Sequence, residues 1–515
     1  MRSHLAGLLI LSVACAPVPK RTITPVEQAG TLPQQVDAKG KNPPVLKAHL
    51  KNGDAVIFSS WTVDTIARRV DGQGRRLDFN RAARDSGSLS IAIDSVALFE
   101  TNRIGQHGSV IALAVVTGIS AAITVACLSN PKSCFGSCPT FYVGNDTTDV
   151  LAEGFSASIA PALEGTDVDA LPRVRPTSRH LELHMRDEAL ETHVVRFVHL
   201  LAAPRGTATG RVFRSDAGVF WQSATQRAPS TCVAANGDCT SLVRAADRQE
   251  WMSRSDSTDL GARETIDLTF PRVAGDSLGI VLTYRHTLVS TFVLYQMLGY
   301  FGNEATAFLA RINRADPNDM QRTTSIADAL GAVEVQLQDD KGVWQTVGAT
   351  RETGPLASDA HLVRLPSTVS GDSVHVRLRL ARGSWRIDEV LLASLDRSIV
   401  PERLAPVEVR KNGVASRAAL AQLTDSSQHL VALPGDDHTL VFELPSDFKS
   451  RELFLESRGY YLEWMRNEWV AEQNVAKGMA MMAAPQLALK VLAPEFKKRE
   501  SDMERAFWSS KYVRH

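Results

Sequence analysis

Apolar residues alternate with polar ones through His180-Leu-Glu-Leu-His-Met185, so Leu181, Leu183 and Met185 share one face of a half-buried strand. The same period of two recurs at Val333, Val335 and Leu337 before the turn Asp340-Lys-Gly342, and at Val374, Val376, Leu378 and Leu380 before Arg382-Gly383. Earlier in the chain, Ala55-Val-Ile-Phe58 follows Asn52-Gly53, and Ile91, Ile93 and Val96 punctuate another strand-like run. Val212-Phe213 is spaced to pair with Val219-Phe220-Trp221 across a Ser-Asp-Ala-Gly turn. Helical spacing replaces this pattern at Leu288, Phe292, Tyr295 and Leu298, restarts after Gly302-Asn303, and returns from Tyr460 to Met482 and beyond Glu495.

These patterns predict a mainly β, multidomain chain. A flexible tether at 16–45 leads to a small β-barrel or roll at 46–104, then a hydrophobic helix at 105–131 and a β-rich domain at 132–275. A helical hairpin at 276–324, a β-sandwich at 325–398, and β-hairpins followed by C-terminal helices at 399–515 complete the order. The uncharged stretch 108–131, rich in Ala, Val, Ile and Thr, has the length to cross a membrane and the small residues to pack against protein, and both readings stand.

The first 15 residues carry an address. Arg2, the apolar run from Leu5 to Leu11 and small residues before Cys15 form a signal peptide, and Ser12-Val-Ala-Cys15 resembles a bacterial lipobox whose cysteine is acylated. Ser12 stands where such boxes usually carry leucine. Ala16 in place of aspartate implies, by the same resemblance, the outer membrane or cell surface. At 515 residues, with 44% hydrophobic and 22% charged side chains, the chain can fill several cores. Its 57 basic and 57 acidic side chains leave no cationic excess for nucleic acid.

An oxidising destination suits the cysteines. Cys232 and Cys239 bracket the turn Asn236-Gly237 and are expected to close a short hairpin. Cys127, Cys134 and Cys138 compete for one further bond; Cys134 with Cys138 is the expected pair, which leaves Cys127 over. The string Ser133-Cys-Phe-Gly-Ser-Cys-Pro-Thr-Phe-Tyr142, with Glu153-Gly-Phe155, Leu163-Glu-Gly-Thr-Asp167 and Glu191-Thr-His193, resembles a group of uncharacterised exported bacterial proteins and implies no activity. Ser384-Trp-Arg-Ile-Asp-Glu-Val390 resembles the closing strands of galactose-binding-like jelly rolls, which implies fold for 330–396 more than function.

Candidate chemistry is sparse. His180, Glu182 and His184 share a strand face and are candidate zinc ligands with His193 and His199 nearby, yet the same alternation describes an ordinary solvent-facing edge. Asp146, Asp149, Asp167 and Asp169 read as loop carboxylates without the glycine-centred order of a calcium loop. Three residues between Cys134 and Cys138 depart from the two of a thioredoxin-like redox pair. Trp464, Trp469, Met479, Met481 and Met482 read as helix core or as an adaptable partner surface. No phosphate loop or nucleophile elbow occurs, and no cofactor is expected. The sequence therefore points to a non-catalytic, lipid-anchored envelope protein that binds a protein partner or glycan or contributes structure, with the membrane contacted through Cys15 and through 108–131. The alternatives are a secreted hydrolase or metal-dependent enzyme using 133–270, and a disulfide-handling protein using Cys134 and Cys138.

Overall fold

The computed structural model describes residues 20–35, 44–103, 139–144, 149–314, 326–351, 354–367 and 371–509. Cys15, the stretch 105–131, Cys127, Cys134, Cys138 and Asp146 lie outside the described residues. The protein is mainly β, with 45% strand and 23% helix, in several antiparallel sheets that form more than one domain.

Sheet A is six-stranded and antiparallel, in the order Lys20–Pro25, Val96–Arg103, Val45–Leu50, Ala55–Asp64, Arg69–Leu77 and Ala83–Ala92. It curls, because Arg69 stands level with Ala92 only four residues before Val96, whose own partner is Leu50 at the other end. Gly72 and Gly74 permit that curvature: a Cβ there would meet the carbonyl oxygens of Ser60 and Ile57. The roll closes on Phe58, Val70, Ile91 and Phe99. The expected tether is corrected here, since Lys20–Pro25 pairs along Val96–Arg103 and the 3-10 segment Val26–Gln35 buries Ala29 and Leu32. Backbone hydrogen bonding gives that polar, aperiodic segment its order.

Four further sheets stack face to face. Strand Glu191–Pro204 pairs along its length with Arg451–Glu463, and with Gly165–Ala170 and Glu402–Leu404 they make sheet C. One face of sheet C, through Val198, Leu200, Leu453 and Leu455, packs on sheet B, where His180–Arg186 runs between Asp437–Glu443 and Thr140–Val143. Its other face, through Leu201, Ala203 and Phe454, packs on Val281, Leu362 and Leu391 of sheet D. Sheet D then turns Ile280, Leu282, Ile387 and Leu392 toward Ile266, Leu268, Val376 and Leu378 of sheet E. The layers therefore run B, C, D, E, with two sandwiches back to back.

The chain leaves the first sandwich after Pro204, builds the second between Arg211 and Ile399, and returns at Glu402. Segment 132–275 consequently feeds all four sheets, and the strands of 325–398 complete their sandwich with strands from 211–286. Hydrogen bonding groups the strands differently from their proximity in sequence. The expected helical segment from 276 also begins too early: Leu278–His286 is a strand of sheet D buried at every position. A strand covered on both faces shows no alternation, which is why the pattern there was ambiguous.

Helices α1 (Val289–Phe301) and α2 (Ala305–Asn313) follow that strand. Helix α3 (Arg417–Thr424) covers sheet C, its Ala419 and Leu423 joining the core of the first sandwich. Helices α4 (Asn467–Ala471), α5 (Val475–Ala483) and α6 (Pro485–Ser509) pack with α1 and α2 into one helical layer around Phe292, Tyr295, Trp469, Leu489 and Phe496. The helical period from Tyr460 starts later than expected, because Tyr460 to Glu463 finish the strand Arg451–Glu463. Among the described residues no helix is long and apolar enough to cross a membrane.

Cys232 and Cys239 are bonded, with Cα atoms 5.0 Å apart, across a hairpin whose Gly237 has φ of 114°. This bond closes a short loop on the edge of sheet E. Replacing both cysteines with alanine is expected to lower stability by about 2 kcal/mol, from the loop entropy regained on unfolding. Urea denaturation of the oxidised protein and the double variant measures this directly.

Candidate functional site

The histidine and acid face of strand His180–Arg186 does not converge on a common point. His180 is exposed, Glu182 accepts from Arg410 at 2.9 Å, and the His184 Nδ1 lies 3.0 Å from Asp437. Glu182 and His184 are occupied by neighbouring strands, as the outer face of an ordinary sheet would be. His199 pairs with Glu456 at 3.1 Å, and among the described residues no group of three His, Cys, Asp or Glu side chains could hold a metal ion. Asp149 pairs with Arg173 and Arg248, whereas Asp167 and Asp169 sit in strand Gly165–Ala170 and not in a loop. Trp469, Met481 and Met482 are core, Met479 is exposed, and the Lys51 ammonium lies 4.8 Å from the Trp464 ring.

Polar groups instead gather where the layers meet. Glu153 of sheet B accepts from the backbone N–H groups of Leu356 and Ala357 in the loop leading into sheet D. Asp359 of sheet D accepts from the Ala170 N–H of sheet C at 2.6 Å. Arg285 donates to both oxygens of Glu250 at 2.6 and 2.5 Å and to the Pro355 carbonyl, while Arg386 spans from Glu250 to Glu504 on α6. Glu504 also accepts from the Leu288 N–H at the start of α1. This network bolts the helical layer to sheet D through buried, charge-assisted bonds.

His361 sits between two carboxylates, Asp216 at 3.0 Å from Nδ1 and Asp359 at 3.1 Å from Nε2. Burial works against its charge, but Tyr284, Asp359 and Asp216 outweigh it and hold the imidazole well above its ordinary value of 6.5. The imidazolium so stabilised donates to both acids.

A third cluster lies under the helical layer and was not visible in the sequence. Glu191 and Glu463 stand directly opposite each other across sheet C, both buried, with His193 and Tyr461 the next pair on that face. Tyr295 of α1 donates to Glu463 at 2.7 Å, and Arg466 donates to the other oxygen at 2.8 Å while its guanidinium lies 4.7 Å from the Tyr295 ring. His193 is 3.5 Å from Asp187 through Nδ1 and 3.9 Å from Glu191 through Nε2. Burial lowers His193 to about 3, so the ring is neutral. Burial, with Glu191 adding to it, raises Asp187 well above the carboxylate range. Burial also lifts Glu463 to about 7 against the pull of Arg466, with Glu191 again adding. In the sequence Glu191-Thr-His193 stood out as part of a resemblance, and His193 also as a histidine near the candidate zinc face.

An apolar cleft lined by Gly53, Phe79, Pro161, Leu309, Leu462 and Glu463 lies between sheet A, the first sandwich and α2. A larger open hollow of about 400 Å³ at the end of sheet E has polar walls, but their groups hold the turn: Asp339 accepts from the Lys341 and Val343 N–H groups and from Gln345. The lining of that hollow also includes Ser373 and His375, whose Nδ1 lies 3.3 Å from the Thr269 hydroxyl.

Arg285→Met is expected to cost about 2–3 kcal/mol by removing the two-point bond to Glu250, which keeps Arg386 at 3.3 Å, read from urea denaturation. For His361 the raised folded value means its stabilisation is complete below the ordinary 6.5 and is lost as pH rises through the folded value. Denaturation midpoints measured from about pH 5 to about pH 9 should fall with pH, less steeply in His361→Gln. Compared with models of known protein families and with curated proteins, the chain shows no match.

Proposed function

We propose that this is an exported, lipid-anchored envelope protein with a non-catalytic role, in which stacked β modules bind another envelope protein or a glycan or serve as a structural spacer. The observation that carries this reading is the use of the interior ionisable groups. Glu153, Asp359 and Glu504 each bind the backbone or an arginine of a neighbouring layer, and Glu250 binds Arg285 and Arg386 of sheet D. Groups so engaged keep the layers in register and are not free for acid and base work. The hydrolase reading at 133–270 needs His180, Glu182 and His184 to meet at an open pocket, and they are spread along one strand, with Glu182 bound to Arg410 and His184 to Asp437.

The anchor reading rests on Ser12-Val-Ala-Cys15, and the described chain begins only five residues later, at the edge strand of sheet A. Five extended residues reach at most about 18 Å, so acylation at Cys15 would hold sheet A close to the membrane surface. Labelled palmitate is expected to enter the wild-type protein and not Cys15→Ser. Pull-down from detergent-solubilised envelopes tests the binding role, and recovery of no stoichiometric protein or glycan would count against it.

A further inference from the structure

The chain carries three Asn-Gly pairs, Asn52-Gly53, Asn236-Gly237 and Asn412-Gly413, and each lies at a turn whose glycine has positive φ. Such a pair holds a nucleophile beside an electrophile: the glycine nitrogen, with no side chain on its own residue to hinder it, can attack the carbonyl carbon of the asparagine side chain. In sequence the three are alike, and their surroundings separate them.

All three electrophiles are prepared in the same way. The side-chain oxygen of Asn52 receives the Asp54 N–H at 3.1 Å, that of Asn236 the Trp251 indole N–H at 3.2 Å, and that of Asn412 the Asp437 N–H at 3.0 Å. A donor placed there stabilises the negative charge that the oxygen takes up during attack. The nucleophiles differ. The Gly53 N–H donates to the Leu50 carbonyl at 3.0 Å, and a Cβ on Gly53 would meet Phe79 at 3.0 Å, so that turn is packed and its amide proton is held. Gly237 stands in register with Ala234, inside the hairpin that the bond between Cys232 and Cys239 closes.

Gly413 has neither restraint. Lys411 and Val414 face each other across a two-residue turn in which Asn412 has φ of 50° and Gly413 of 82°, a type I′ geometry that leaves the second central N–H off the ladder. Among the described residues that N–H has no acceptor. Residues 411–415 are all exposed, a Cβ on Gly413 would meet nothing within 4 Å, and Val414–Ala415 is a two-residue strand at the edge of sheet B. A short edge strand under an open turn reorganises at low cost.

We propose that Asn412 is a site of self-modification. The Gly413 nitrogen bonds to Cγ of Asn412, the Cγ–Nδ2 bond breaks, and ammonia departs carrying the proton that Gly413 gives up. Water then opens the five-membered imide at either carbonyl and leaves aspartate or isoaspartate at position 412, with no change of oxidation state. Isoaspartate lengthens the main chain by one methylene, and either product adds a carboxylate beside Asp436 and Asp437. The Asn412 N–H also donates to the Asp437 carbonyl at 2.7 Å, so both bonds that tie the turn to Asp437 pass through the residue that changes. Conversion to isoaspartate therefore releases Val414–Ala415 from the edge of sheet B.

The test is incubation of the folded, oxidised full chain at about pH 8.5, followed by peptide mapping with mass spectrometry and separation of the isoaspartyl peptides. Asn412 is expected to convert about tenfold faster than Asn52 or Asn236, and in urea with the disulfide reduced the three rates should fall within about threefold of one another. Amide exchange on the converted protein should show Val414 and Ala415 losing about tenfold in protection, a loss absent from Asn412→Gln kept under the same conditions. A folded chain in which Asn412 stays intact, or in which all three asparagines convert alike, overturns the assignment, and unchanged protection of Val414 and Ala415 after conversion overturns the release.

Discussion

The pairing of Glu191–Pro204 with Arg451–Glu463 is the interaction on which the architecture depends. It joins two stretches separated by nearly half the chain and makes sheet C a layer covered on both faces. Leu200, Ala202, Leu453 and Leu455 point one way and Leu201, Ala203 and Phe454 the other, so residues 200–203 and 453–455 alternate between two cores. Because the two strands bracket everything between them, the second sandwich must grow from the loop that links them. Nothing but such a long-range pair could hold both ends of that insertion together.

A layer packed on both faces imposes a rule on the polar side chains it buries: each must find a partner inside. At the ends of the strand pair, where the apolar stacking stops, carboxylates take over and bind the next module. Glu452 meets Arg211 and Arg205 on the side of sheet D, while Glu456 meets His199 and Arg403 along the same sheet. Glu191 and Glu463, at the helical end, face each other directly, and Tyr295 and Arg466 donate to Glu463. Apolar area supplies most of the free energy of stacking, and the polar ties decide the register in which layers stack.

Local features were legible in the sequence where local physics decides them. The Cys232 to Cys239 hairpin needs only a turn at Asn236-Gly237 and a span of eight residues. Strand His180–Arg186 shows its alternation because one face is wet and the other is core. Leu278–His286 hid its nature because both faces are buried, and Lys20–Pro25 hid because its order comes from a partner about eighty residues away. Helical spacing marked α1 and α2 correctly near Phe292 and Phe308, yet not where the preceding strand stopped.

By itself the sequence determined the β-rich character, the short disulfide hairpin, the helical stretches and the expectation of an export signal ending at Cys15. These follow from periodicity, turn chemistry and composition, which act over a few residues. Only the tertiary structure decided which strands share a sheet, that one sandwich is inserted in another, and that Asp187, Glu191, Glu463, Arg466 and Tyr295 meet. Those outcomes depend on contacts between distant segments, where burial and hydrogen-bond satisfaction are settled by the whole chain at once, so no local pattern of residues carries them.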